Sequence, residues 1–193
     1  MALWDDVLAE VISVTNRPEL TAETAIALRQ AVRAAHKSHK FWRDLTVVTK
    51  SGLSASDALQ TISITSDLPR FRQMAYVKSG TTDKFYRPVD ISDLVDSYSL
   101  LKVDVYYIAG TDIKLRAYSP ETSYDFCYYQ YPIVSPTSSF DSWIADEHRD
   151  LLVAWAASTV CAMVGEQEIK SRMDQLVAIG LADLVQDNVV AEG

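Results

Sequence analysis

The spacing of hydrophobic residues changes period twice along the chain. At both ends, apolar residues recur every three or four positions, which is typical of helices that bury one face. Between the ends, apolar and polar residues alternate, as they do in strands with one buried face. We therefore expect an α+β protein in which an antiparallel, barrel-like β-rich domain, residues 46–140, is inserted between two helical pairs, residues 1–45 and 141–185.

Four helices are predicted at the ends of the chain, and we expect them to pack as one four-helix bundle. The first ends at Asn16 and the second begins near Thr21, while the third ends at Gly165 and the fourth near Leu184. Residues 186–193 have no apolar stripe, which predicts a flexible C-terminal tail. The expected helical core consists of Trp4, Leu28, Val32, Trp143, Leu152 and Trp155.

The middle of the chain predicts several short strands. The clearest pair is a hairpin, in which residues 101–107 and 113–117 alternate in polarity on either side of Gly110. Helical spacing within residues 88–98 predicts a short helix there. Short strands joined by turns favour a small antiparallel sheet or barrel over a parallel α/β arrangement.

The aromatic residues are sorted along the chain, because all ten tyrosines lie between Tyr76 and Tyr131 and all four tryptophans lie outside that stretch. A tyrosine cluster near the end of the β-rich region has two interpretations. The rings could stack bases or sugars, or alternate tyrosines could pack the sheet while the others contact a neighbouring subunit. The lack of basic residues between Tyr124 and Pro136 favours the second. The candidate interface residues are Tyr124, Tyr128, Tyr129 and Tyr131.

The formal net charge of −8 is concentrated in the C-terminal helices, because residues 141–193 contain ten acidic and three basic side chains. Tight DNA binding requires clustered lysine and arginine, so the sequence argues against it. An acidic surface fits repulsion of DNA, docking on a basic protein face, or simple solvation. No apolar run reaches the ~20 residues of a membrane-spanning helix, and the N-terminus lacks the basic head of a signal peptide. We expect an intracellular protein without a membrane partner.

Few residues suggest chemistry. The sequence has no glycine-rich phosphate loop and no nucleophile elbow. His36 and His39 share a helix face, but Lys37 and Lys40 would repel a cation, so a solvated helix end is the preferred interpretation. The charged residues 146–150 lie on different faces of one helix, which favours a charged surface over an acid/base group.

The two cysteines, Cys127 and Cys161, have no CxxC spacing and are interpreted as buried structural thiols. We therefore predict no catalytic residue, no cofactor, no metal and no enzymatic activity.

Several segments together resemble one family. They are the run from Tyr128 to Pro132, a spacer from Pro136 to Phe140, the run from Asp141 to Ile144, and the alanine-rich helix from Leu151 to Ala157, all behind a helical pair and a β-rich insertion. In this order they resemble the head-to-tail connector proteins of tailed bacteriophages, also called portal adaptors or tail-tube gatekeepers. The resemblance is closest to short-tailed phages.

The resemblance implies a structural virion protein that forms a ring beneath the portal, with twelve subunits in the family. Such a ring extends the DNA channel and provides the platform for the tail nozzle or tail tube. Packaged DNA would pass through without sequence-specific binding. The protein would be located in the neck or tail of the virion, and in the host cytoplasm during assembly. The resemblance also implies a portal-docking tail, for which the candidates are Asp187, Asn188, Val189, Val190 and Glu192.

Two other interpretations stay open. A different phage component, such as a tail-completion or stopper protein, would share the β-rich character but should lack four flanking helices. A small-molecule or carbohydrate binding module on the tyrosine-rich sheet would instead have a saturable ligand and a stable monomer.

Overall fold

The computed structural model describes residues 3–90, 104–135 and 139–192, and it divides the chain into two compact units. The helical unit combines Met1–Asp44 with Tyr131–Gly193, and the sheet unit is Leu45–Gln130. The second boundary falls about ten residues before the predicted one, because residues 131–140 belong to the helical unit. Most of the short helix predicted within residues 88–98 lies outside the described residues.

Within the described ranges the protein is a mixed α+β structure with six helices. In chain order they are α1 (Leu3–Thr15), α2 (Thr21–Ser38), α3 (Ile64–Asp67), α4 (Trp143–Glu147), α5 (Arg149–Val164) and α6 (Gln167–Glu192).

Helix α5 is the centre of the helical unit, since α1, α2, α4 and α6 all pack against it. It is apolar on nearly all sides, and its buried alanines, including Ala156 and Ala157, allow neighbouring helices to approach closely. The predicted core is confirmed in this unit. Trp4, Leu28, Val32 and Leu152 are buried, and Trp143 and Trp155 are partly buried and pack against the same cluster.

Two helices end where the sequence predicts. The predicted third helix is interrupted, and the predicted fourth helix continues further than expected. Asn16 and Gly165 have positive φ angles of 51° and 81°, which end α1 and α5 at the predicted positions. The predicted third helix is interrupted at His148, whose φ and ψ of −122° and 45° separate α4 from α5.

The fourth helix was predicted to end near Leu184, with a flexible tail from residue 186. The structure corrects this, because α6 continues as a helix to Glu192. Gly180 lies within α6, at a position where a Cβ atom would come within 3.1 Å of the Leu151 Cβ. The missing side chain therefore lets α6 lie close to α5 at this position. Further along α6, Asn188 is buried, so this turn has packing contacts that the sequence pattern does not reveal.

The sheet unit contains a curled seven-stranded sheet that forms a half-barrel. Its strands are β1 (Leu45–Ser51), β2 (Leu59–Ser63), β3 (Phe71–Ser79), β4 (Phe85–Pro88), β5 (Val105–Ala109), β6 (Asp112–Arg116) and β7 (Ser123–Gln130). The strand order is β1-β7-β3-β4-β5-β6-β2. The strands β4 and β5 pair in parallel, whereas the other pairs of this sheet are antiparallel, so the sheet is mixed and not purely antiparallel as predicted. The long connection between β4 and β5 permits this parallel return.

The predicted hairpin is confirmed as β5 and β6. Gly110, with φ of 62°, lies in the turn between them, and Ile113 and Leu115 are fully buried. A second, small hairpin, β8 (Ile133–Ser135) with β9 (Ser139–Asp141), belongs to the helical unit.

Candidate functional site

A buried polar cluster lies in the core of the helical unit. His36 Nδ1 is 2.9 Å and 3.0 Å from the two carboxylate oxygens of Asp44, and His36 Nε2 is 2.9 Å from Ser142 Oγ. The indole Nε1–H of Trp143 donates to Asp44 Oδ1 at 2.9 Å. The exposed fractions of His36, Asp44 and Ser142 are only 2%, 4% and 3%. These four residues form one hydrogen-bonded network, which we call the His36 network.

The local structure brings the network together from three segments. His36 lies in the last turn of α2, Asp44 ends the 3-10 turn Trp42–Asp44, and Ser142 is the N-cap residue of α4. The Ser142 hydroxyl also accepts a hydrogen bond from the Ala145 N–H, as an N-cap serine commonly does. A carboxylate oxygen only accepts, so the His36 Nδ1–H donates to Asp44.

The preferred interpretation of His36 as a solvated helix end is wrong. His36 follows Leu28 and Val32 at a spacing of four, so it lies on the buried face of α2. This spacing of four could have predicted that His36 is buried. The neighbouring Lys37 and Lys40 instead suggested an exposed helix end. The partners Asp44 and Ser142 could not be found from sequence, because Ser142 is 106 positions away from His36.

The order Asp44, His36, Ser142 is that of a catalytic triad. A nucleophilic serine must reach the substrate, however, and the Ser142 hydroxyl is buried and already caps a helix. In this conformation the network joins three segments of the chain, and its His36, Asp44 and Ser142 side chains are buried. Its hydrogen bonds satisfy polar groups that would otherwise be costly to bury.

A cavity of about 330 Å³ lies beside the network, and it shares Trp143 with it. The Arg43 guanidinium lies 4.9 Å from the centroid of the Trp143 ring and forms an ion pair with Glu147. The hydrogen bond from Arg43 lowers the pKa of the Glu147 carboxyl below its ordinary value. The lining residues are Trp42, Arg43, Trp143, Glu147, His148, Asp187 and Asn188.

Two of the predicted portal-docking residues line this cavity. The Asn188 Oδ1 accepts a hydrogen bond from the Trp42 backbone N–H at 3.2 Å, and the Asp187 carboxylate is 3.4 Å from His148 Nε2. Asn188 is therefore held inside its own unit, whereas Asp187 is exposed. Val189, Val190 and Glu192 continue the backbone of α6.

The four tyrosines predicted to form an interface fall into two groups. Tyr124 and Tyr128 are fully buried in the sheet core, so neither can contact a partner in this conformation, and the prediction is corrected for both. The Tyr128 hydroxyl donates to the Pro69 carbonyl, and the Tyr124 hydroxyl accepts from the Glu121 N–H. Tyr129 and Tyr131 are partly exposed, and their role as interface residues stays a prediction.

The outer face of the sheet carries an exposed apolar row. Val47 and Tyr76 both lie opposite Cys127, on the two strands that flank β7. The rings of Tyr76 and Phe85 are 5.4 Å apart, and Phe85 has an exposed fraction of 61%. Tyr129 lies two positions after Cys127 on β7 and therefore on the same face. We call Val47, Tyr76, Phe85 and Tyr129 the outer apolar row.

The two cysteines are free and buried, as predicted, and burial raises the pKa of both thiols. Among the described residues, no group of three or more His, Cys, Asp or Glu side chains could hold a metal ion. A search of the same residues finds no helix long and apolar enough to cross a membrane.

Compared with protein-family models and with curated proteins, the chain matches none of them. The functional interpretation therefore depends on the surfaces of the molecule itself.

Proposed function

We propose that this protein is a structural, non-enzymatic virion protein that forms a ring beneath a phage portal. The ring would extend the DNA channel and provide the attachment platform for the tail. The outer apolar row is the observation that carries this proposal. Tyr76 and Phe85 contact each other on this sheet face, Val47 lies opposite the same β7 residue as Tyr76, and all three side chains are exposed.

Contiguous exposed apolar residues on a protein surface usually mark a site of association. Phe85 and Tyr76 form an edge-to-face aromatic pair at that surface, and aromatic residues are enriched where subunits meet. In a closed ring, each subunit presents such a face to its neighbour, so every copy is covered. The row retains Tyr129 from the predicted interface and replaces the two buried tyrosines with Val47, Tyr76 and Phe85.

We also propose that α1, α2, α5 and α6 act as a four-helix bundle that supports the ring. Support comes from the single apolar cluster to which these four helices contribute. The acidic balance of residues 141–193 is suited to a channel wall, because DNA phosphates are repelled and do not adhere. The DNA would then pass without sequence-specific binding.

The C-terminal turn of α6 remains the proposed portal contact, with the exposed Asp187 as its first residue. Deletion of residues 187–193 should abolish binding to a portal protein. Retained binding after this deletion would exclude the segment as the portal contact.

The experiment that tests the ring is electron cryo-microscopy of the purified protein at high concentration, with closed rings counted against single particles. We expect closed rings with a central channel wide enough for duplex DNA. The double variant Phe85→Ser with Tyr129→Ser should give folded monomers, because both side chains are at least partly exposed.

The matched control is Tyr118→Ser, since Tyr118 is an exposed tyrosine outside the row. It should form rings like the unchanged protein. A wild-type protein that stays monomeric at every concentration would contradict the proposal. Rings formed by the double variant would instead contradict the role of the outer apolar row.

A further inference from the structure

A second apolar surface lies in the helical unit, in a groove between α1, α5 and α6 with a volume of about 410 Å³. Two residues of α6 that line it are exposed, Leu176 by 47% and Ile179 by 60%. Val14 of α1 lines it as well and is also exposed. The remaining apolar lining residues are Leu151, Val153, Ala154, Met173 and Gly180.

The groove follows from the sequence of α6. Leu176, Ile179 and Asp183 are three and four positions apart, so they lie along one face of the helix. Gly180 lies among them without a side chain, directly over Leu151 of α5. Leu176 and Ile179 therefore flank a shallow depression at Gly180, which has no side chain to fill it.

The rim of the groove is acidic. Asp150 and Asp183 both line it, and both are exposed. An occupant that matches this surface needs an apolar side chain for the depression and positive charges for the rim.

The exposed stripe of α2 has this chemistry. Ile26, Gln30, Arg33 and Lys37 are spaced four, three and four positions apart, so they lie along one helix face. All four are exposed, and the exposed fraction of Ile26 is 47%. The opposite face of α2, with Leu28 and its neighbours, packs in the core of the helical unit. The stripe therefore combines one apolar side chain with two cations.

We propose that the exposed stripe of α2 in one copy of this protein docks in the groove between α1, α5 and α6 of the next copy. Ile26 would enter the depression beside Ile179, and Arg33 and Lys37 would pair with Asp150 and Asp183. The stripe cannot reach the groove of its own chain, because α2 packs against α5 through its other face.

Two different surfaces meet in this contact, so it is heterologous and can repeat around a ring. The inference rests on the proposed ring and names one of its contacts. It is independent of the outer apolar row, because the α2 stripe and the groove both belong to the helical unit, whereas the row belongs to the sheet unit.

The test is a charge exchange between the two surfaces. The stripe variant carries Arg33→Glu with Lys37→Glu, and the groove variant carries Asp150→Lys with Asp183→Lys. Each variant alone brings like charges together at the contact, so we expect its self-association to weaken at least about tenfold. An equimolar mixture should associate again, because the unchanged stripe of one variant meets the unchanged groove of the other, and the reversed surfaces are also complementary.

Sedimentation velocity over a concentration series measures the association of each variant and of the mixture. Recovery in the mixture also shows that both variants are folded. The control Lys114→Glu with Arg116→Glu changes the net charge as much as the stripe variant. Both sites lie on β6, outside the helical unit and outside the four strands that carry the outer apolar row, so its association should match the wild type.

Three outcomes separate the proposals. Weak association of each variant with recovery in the mixture supports the α2 contact. Unchanged rings from either variant, or no recovery in the mixture, overturn the α2 contact while the proposed ring stands. Absence of any wild-type association overturns both the contact and the ring.

Discussion

The two units of this protein bury polar groups in different ways. In the helical unit, the His36 network places an imidazole, a carboxylate and a hydroxyl in the core and satisfies them with one another. In the sheet unit, the hydroxyls of Tyr124 and Tyr128 bond to backbone groups, the Glu121 N–H and the Pro69 carbonyl. The network links residues far apart in the chain, whereas each tyrosine bond involves a single neutral hydroxyl. Loss of one group should therefore cost more in the helical unit.

The largest expected effect is that of Asp44→Ala. This change removes the acceptor that Asp44 provides for both the His36 Nδ1–H and the Trp143 Nε1–H, in a network where His36 and Asp44 themselves are buried. We expect the free energy of unfolding to fall by about 3–5 kcal/mol, measured by chemical denaturation. Asp44→Asn keeps one acceptor oxygen and should cost less. A loss of less than about 1 kcal/mol from Asp44→Ala would show that the two hydrogen bonds contribute little.

Trp155→Ala tests the apolar packing of the same unit. Trp155 is only partly buried, although it packs against the helical core. Truncation of a fully buried tryptophan to alanine lowers the free energy of unfolding by about 3–5 kcal/mol. For this partly buried residue we expect a smaller loss of about 1–3 kcal/mol. Leu152→Ala, at a fully buried position of the same helix, is the comparison variant. A loss of unfolding free energy smaller than that of an exposed control such as Met163→Ala would show that Trp155 does not contribute to the core.

Tyr128→Phe tests the sheet unit. It removes one hydroxyl that donates to the Pro69 carbonyl and leaves the ring in place. The expected loss of unfolding free energy is about 0.5–1.5 kcal/mol, which is the usual contribution of a single neutral hydrogen bond. A loss as large as that of Asp44→Ala would contradict the contrast between the two units.

The smallest expected effect depends on pH and concerns Glu121 in the sheet unit. Burial alone would raise the pKa of the Glu121 carboxyl, but hydrogen bonds from Ser79, Thr81 and Thr82 outweigh it and lower the pKa below its ordinary value of 4.5. Because the folded pKa is lowered, the stabilisation is present above pH 4.5 and is lost as the pH falls through the lowered pKa.

The stability difference between the wild type and Glu121→Gln should therefore shrink as the solution is acidified below pH 4.5. Thermal unfolding of both proteins across this range measures it. A difference that stays constant with pH would show that the carboxylate charge does not contribute.

Much of the local structure could be predicted from the amino-acid sequence. The three-to-four-residue period located α1, α2, α5 and α6, and positive φ angles at Asn16 and Gly165 end helices where the sequence indicated. Alternation on either side of Gly110 identified the β5–β6 hairpin. These features depend on neighbours within a few positions, and such neighbours determine which backbone conformation buries an apolar face.

Only the tertiary structure decided which segments meet. Strand β7 pairs with β1 and β3, and thereby places Tyr129 opposite Leu45 and on the same face as Val47. His36 meets Ser142 across 106 positions, and Gly180 admits the Leu151 side chain. No local period encodes such pairings, because their free energy comes from burial and hydrogen bonds between residues far apart in the chain. The periodic pattern therefore determined the elements, and nonlocal packing determined the His36 network, the strand order and which apolar surfaces stay exposed.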